Sequence, residues 1–159
     1  MRFEISKYIN LSFNHLKIFC IFVMNCIFCD IIKNEDHDGM IYSDPEVVSF
    51  LDIRPLNLGH TLVVPVEHHT DFREMPPESM QHFFAKVQQI ALAVEKATGA
   101  DGFNIICNTG EAASQTIFHL HYHIIPRFRG DNVFRRLEFK QYNSETEMRS
   151  FAEKIKKHL

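Results

Sequence analysis

Between residues 76 and 99 the apolar positions recur with helical spacing. Met80, Phe83, Phe84, Val87, Ile90, Ala91 and Val94 fall on the i, i+3, i+4, i+7 stripe of an amphipathic helix over 78–98. Pro77 and Glu78 suit its first turn and Gly99 its end. A second stripe, Met148, Phe151, Ala152 and Ile155, predicts a closing helix over 145–158. Elsewhere the apolar runs are short and bounded by turn residues. They predict strands over 40–42, 47–53, 61–64, 103–107 and 117–125, with Ser43-Asp44-Pro45 turning between the first two and Pro65 closing the third. Residues 30–33 read as a turn or two of helix and 34–39 as a polar loop. A helix-length connection between the strands at 61–64 and 103–107 rules out a tight hairpin there. The pattern predicts one α+β domain, a sheet with helices packed on one side.

Composition narrows the partners. A formal net charge of −3 gives no electrostatic case for nucleic-acid binding, which calls for a basic face. No run of about 18 apolar residues is present, so no membrane span is expected. Residues 1–23 lack a continuous apolar stretch and a small-residue cleavage site, so they do not read as a signal peptide. They read as an N-terminal extension, either poorly ordered or preceding a natural start at Met24, with the domain over 24–159. Four cysteines, at 20, 26, 29 and 107, are sparse for an extracellular disulfide framework. Cys26 and Cys29 have the spacing of a zinc half-site, and ten histidines make a metal as plausible as a disulfide. The expectation is a reduced, cytoplasmic protein.

The chemistry concentrates in Phe118-His119-Leu120-His121-Tyr122-His123-Ile124-Ile125. Alternation along a strand puts His119, His121 and His123 on one face and Leu120, Tyr122 and Ile124 on the other. Three imidazoles so spaced suit either metal ligation or nucleophilic catalysis, and the strand alone does not choose between them. Just upstream, the polar loop 108–116 offers the amides of Asn108 and Gln115, the Thr116 hydroxyl and a run of backbone N–H groups. Neutral donors of this kind hold phosphate oxygens. Beside an imidazole they suggest phosphoryl or nucleotidyl transfer.

Gln115-x-x-x-His119-x-His121-x-His123-Ile124-Ile125 resembles the signature of the histidine-triad (HIT) family. Further matches are Phe50-Leu51-Asp52-Ile53-x-Pro55, residues 59–65 from Gly59-His60 to Pro65, His68 and the Asn108 loop. The resemblance runs from Cys26 to about Arg129, roughly two-thirds of the chain, and is nearest the bacterial, Hint-like branch. It implies an antiparallel sheet with a long helix and a C-terminal helix, joined into a two-fold homodimer. It also implies a nucleotide hydrolase or transferase that cleaves nucleoside phosphoramidates or dinucleoside polyphosphates at the α-phosphate.

In that reading His121 is the nucleophile and becomes nucleotidylated. His123 donates to the phosphate or leaving group, and His60 supports the triad. Asn108, Ser114, Gln115 and Thr116 hold the phosphate, while Asp52, Phe28, Ile31 and Ile53 hold the nucleoside of a purine nucleotide. The resemblance further implies a structural zinc on Cys26, Cys29, His68 and His119, with His69 an adjacent alternative to His68 and no organic cofactor. Two rival functions stand beside it: a metalloenzyme in which the three histidines hold a catalytic ion, and a nucleotide-binding interaction module with little turnover. Ser114 departs from the glycine often found there in the family, so crowding or an added hydroxyl donor at the phosphate is expected.

Overall fold

The computed structural model describes residues 26–34, 37–134 and 138–159. The expectations for residues 1–23 lie outside them. Three helices, α1 (Ile27–Lys33), α2 (Pro77–Thr98) and α3 (Glu145–Lys156), accompany five strands: β1 (Met40–Ser43), β2 (Val47–Leu51), β3 (Thr61–Pro65), β4 (Gly102–Ile106) and β5 (Tyr122–Arg127). The strands form one antiparallel sheet in the order β1-β2-β3-β5-β4.

β2 and β3 are buried at every position, so neither face of the sheet centre can meet water. Val47, Leu51 and Val63 enter a core closed by Phe83, Val87, Ile90 and Val94 of α2 and by Met148 and Ile155 of α3. Val48, Phe50, Leu62 and Val64 alternate to the opposite face, where Phe28, Cys29 and Ile32 of α1 cover them. The helices are therefore not all on one side. α2 and α3 share a face as expected, but α1 takes the other, because the continuous apolar runs of β2 and β3 leave two faces to cover.

α2 begins with a proline at its first position and ends at Gly99, whose φ of 65° is the left-handed conformation glycine adopts without strain. Phe84 is 41% exposed, outside the buried stripe it was expected to join. Ser144 caps α3 by accepting a hydrogen bond from the Glu147 N–H at 3.1 Å.

β5 starts five residues later than the expected strand and runs to Arg127. Its ladder to β3 ends at Val63↔Tyr122. Two residues further along β3 stands Pro65, which has no N–H to offer, and its carbonyl is engaged by the His119 ring at 2.9 Å. Leu120 instead donates its N–H to the His69 carbonyl at 2.6 Å. The first two triad histidines therefore lie on the approach to the strand, and the third lies within it. The expected alternation survives, since Leu120, Tyr122 and Ile124 all enter the α2 core.

Candidate active site

His60 follows Gly59, whose φ of 92° and close approach to Thr98 exclude a side chain; a Cβ there would lie 2.6 Å from Thr98 Cγ2. The Tyr142 hydroxyl accepts the Gly59 N–H at 3.1 Å, fixing the turn from the C-terminal side. His60 Nδ1 accepts the Leu56 N–H at 3.3 Å, so its proton sits on Nε2. His60 Nε2 lies 3.0 Å from His123 Nδ1, which must then accept. The remaining His123 proton sits on Nε2, making that nitrogen a donor.

His121 is oriented by the main chain. Its Nδ1 stands 2.7 Å from the His119 carbonyl oxygen, which can only accept, so Nδ1 carries the proton and Nε2 the lone pair. The Phe28 ring packs edge-on to His121 with centroids 5.1 Å apart. Burial pushes the His60 imidazole down to about 4, helped by the charge of a protonated His121 and opposed by Asp52. Burial likewise takes His123 down to about 3, with His121 and His60 adding to the effect. His121 is also lowered by burial, against its bond to the His119 carbonyl. All three are neutral near pH 7.

Two cavities meet at His121 and His123. One, of about 350 Å³, is apolar and lined by Phe28, Ile31, Phe50, Ile53 and Leu62 together with Asp52 and His121. The other, of about 440 Å³, is lined by His60, Asn108, Ser114, Thr116, His121 and His123, with Arg54 and Phe139 also on its wall. Asp52, Arg54, Thr116, His121 and His123 border both. One Asp52 oxygen accepts the Arg54 N–H at 2.8 Å and the other lies 3.6 Å from His60 Nδ1.

Of the four expected phosphate-loop residues, Asn108, Ser114 and Thr116 reach the second cavity. Gln115 does not. It is 3% exposed, its Oε1 accepts the Gly110 N–H at 2.7 Å, and its Nε2 donates to the carbonyls of Thr70 at 2.7 Å and Ile117 at 3.1 Å. The amide staples the loop rather than facing the cavity. Ser114 has a φ of 66°, left-handed backbone that explains why glycine suits the position. Arg54, Phe139 and His37, which also borders the apolar cavity, were missed from sequence. Arg54 sat inside the quoted Asp52–Pro55 run, while nothing around Phe139 signalled a site.

Behind the trio lies a thiol–imidazole cluster. His119 Nδ1 is 3.4 Å from Cys26 Sγ and 3.6 Å from Cys29 Sγ, and His68 Nδ1 is 3.4 Å from Cys29 Sγ. The four ligand atoms lie within 4.8 Å of one another. His119 Nε2 donates to the Pro65 carbonyl, which leaves the Nδ1 lone pair facing the sulfurs. Two sulfurs and two imidazole nitrogens are a donor set that fits tetrahedral zinc once both cysteines are reduced thiolates. His69 stands apart, with Nε2 3.9 Å from Glu67. Since His119 turns to the sulfurs and His123 to His60, the three triad rings do not converge on one point.

Comparison with known proteins gives the family. The HIT domain matches residues 33–130. The chain is 47% identical over 106 residues to an uncharacterized HIT-like protein of Methanocaldococcus jannaschii, covering 67% of this chain and 81% of that protein. It is 36% identical over 137 residues to adenylylsulfatase HINT3 of Arabidopsis thaliana, covering 85% of this chain and 70% of that one. Among solved structures, a Zn-bound histidine triad family protein from Mycobacterium smegmatis superposes with a TM-score of 0.72 at 37% identity, covering 85% of this chain and 93% of that one. A hypothetical histidine triad nucleotide-binding protein from Sulfolobus tokodaii does so with a TM-score of 0.75 at 32% identity, covering 84% of this chain and 91% of that one. Fold and site together define a histidine-triad protein. The chain belongs to the HIT domain family.

Proposed function

We propose that the protein is a nucleotide hydrolase or transferase acting at the α-phosphate of a purine nucleotide through a nucleotidylated His121. The observation that carries this reading is the His121 tautomer: a buried neutral ring with its lone-pair nitrogen Nε2, at the junction of the apolar cavity and the one that Asn108, Ser114 and Thr116 line. In the first step a bond forms between Nε2 and phosphorus while the bond from phosphorus to the leaving group breaks. A phosphate leaves as the anion, hydrogen-bonded by His123 Nε2–H; an amine leaves from the N-protonated substrate, already carrying its proton. The positive charge on His121 is stabilised by its Nδ1–H bond to the His119 carbonyl. In the second step water attacks phosphorus and the P–N bond breaks. One water proton stays on the nucleoside monophosphate and the other goes to solvent.

Asn108, Ser114 and Thr116 supply donors toward the phosphoryl oxygens, and Gln115 acts through the loop it staples. Phe28, Ile31 and Ile53 support a base-binding role by lining the apolar cavity, and Asp52 supports ribose binding by bordering both cavities. We assign a structural zinc to Cys26, Cys29, His68 and His119, supported by the converging donor set. Exposed Phe84 and Leu92 on α2 and Ile105 on edge strand β4 support a two-fold homodimer.

Turnover of adenosine phosphoramidate, guanosine phosphoramidate and diadenosine tetraphosphate by wild type and His121→Ala tests the proposal. The variant is expected to lose about 10³-fold or more in rate. Intact mass measured at neutral pH should show a nucleotidyl adduct on wild type alone. Undiminished turnover in the variant would refute the mechanism.

A further inference from the structure

Among the described residues lining the two cavities, Arg54 is the one permanent cation, and it borders both. Its guanidinium stands 4.7 Å above the ring of Phe139. Phe139 is 52% exposed and belongs to the wall of the cavity that the 108–116 loop borders, whereas Phe28 and Ile31 line the other one. The segment is held in place next to it, where Lys140 donates its N–H to the Pro55 carbonyl at 2.7 Å. Phe139 lies beyond the matched HIT domain of residues 33–130, so this wall is supplied by the chain's own C-terminal part.

The chemistry of the two leaving-group classes differs. An amine leaves neutral from the N-protonated substrate and brings no charge to its exit. A polyphosphate leaves as an anion, and a fixed guanidinium at its exit stabilises the charge that develops. An exposed aromatic face with a cation stacked on it is also a platform for a planar base. A cavity of about 440 Å³ is far larger than ammonia needs and has room for part of a nucleotide.

We infer that Arg54 and Phe139 form a leaving-group subsite that selects an anionic leaving group bearing an aromatic base, a second nucleotide, over a simple amine. This rests on the nucleotide reading above and narrows it. Arg54 faces the departing phosphates, and Phe139 stacks on the distal base.

The test, on the full chain, is binding of two probes that share the adenosine end and turnover of two substrates that differ in leaving group. Calorimetry with AMP and a non-hydrolysable diadenosine tetraphosphate analogue should show the dinucleotide binding wild type about tenfold tighter. Phe139→Ala is expected to abolish that difference while leaving AMP affinity within twofold, and Phe139→Trp to restore it. Arg54→Gln should raise KM for diadenosine tetraphosphate about tenfold more than it raises KM for adenosine phosphoramidate. Equal loss of both probes in Phe139→Ala, or equal affinity of the two for wild type, would overturn the subsite and leave the nucleotide reading standing. Failure of AMP itself to bind wild type would instead remove the nucleotide reading, and the subsite with it.

Discussion

Replacing Gln115 by alanine strips three hydrogen bonds from the loop that borders the His60–His123 cavity. The amide now spends its oxygen on the Gly110 N–H and its nitrogen on the carbonyls of Thr70 and Ile117, at 2.7, 2.7 and 3.1 Å. Each is worth a net of about 1 kcal/mol, and water entering at half-exposed Gly110 recovers part of the loss. The expected cost is about 2–3 kcal/mol. At roughly 3–4 °C per kcal/mol for a domain of this size, the melting temperature should fall by about 6–12 °C.

Gln115→Glu should be no better, because a second oxygen would then face two carbonyl oxygens. The loop carries Ser114 and Thr116 on either side of Gln115, so a shift of about 1 Å should lower kcat/KM by about a hundredfold. Differential scanning fluorimetry and initial rates on folded protein measure the two effects. An alanine variant melting within 2 °C of wild type, with kcat/KM within twofold, would show that the staple holds nothing.

Other outcomes follow from the same geometry. Zinc is expected at about one equivalent per chain in reducing buffer and to be lost in Cys26→Ala; a variant that retains full metal content would dismiss the assigned site. Ser114→Val, forcing a β-branched residue into left-handed backbone, should cost more than about 1 kcal/mol in a denaturant titration, whereas Ser114→Gly should lie within about 1 kcal/mol of wild type. The folded state holds His60 near 4 while the unfolded chain titrates near about 6.5. Between those values the unfolded chain binds more protons. Stability is thus complete above about pH 6.5 and declines as pH falls toward 4, a slope that melting curves across pH should reveal and His60→Gln should flatten. An acid limb of kcat/KM centred near 6.5 would contradict neutral, buried histidines.

The parts of the fold that were legible are those where packing and local pattern agree. The α2 stripe and its Gly99 end follow from spacing alone, as do the centres of β2 and β3. The side on which α1 packs was not legible. Continuous apolar runs such as Val47–Leu51 look alike whether one face or both are covered. The start of β5 was hidden because Pro65 limits the ladder from across the sheet, a constraint more than 50 residues away in sequence. Within the site, the alternating histidines and the Cys26–Cys29 spacing announced themselves through periodicity. Gln115 was misplaced because an amide's type says nothing of which way it turns. Arg54 and Phe139 meet only through the return of the chain past Pro55, which no local pattern encodes.

Residue 119 serves two masters by two different parts. Its ring turns to the sulfurs and can be removed by a point mutation; its carbonyl, which sets the proton on the neighbouring imidazole, belongs to the main chain and is common to every amino acid. Sequence drift at this position can therefore discard the proposed metal ligand while His121 Nε2 keeps its lone pair. The proposed nucleophile and the proposed metal site are thus heritable separately.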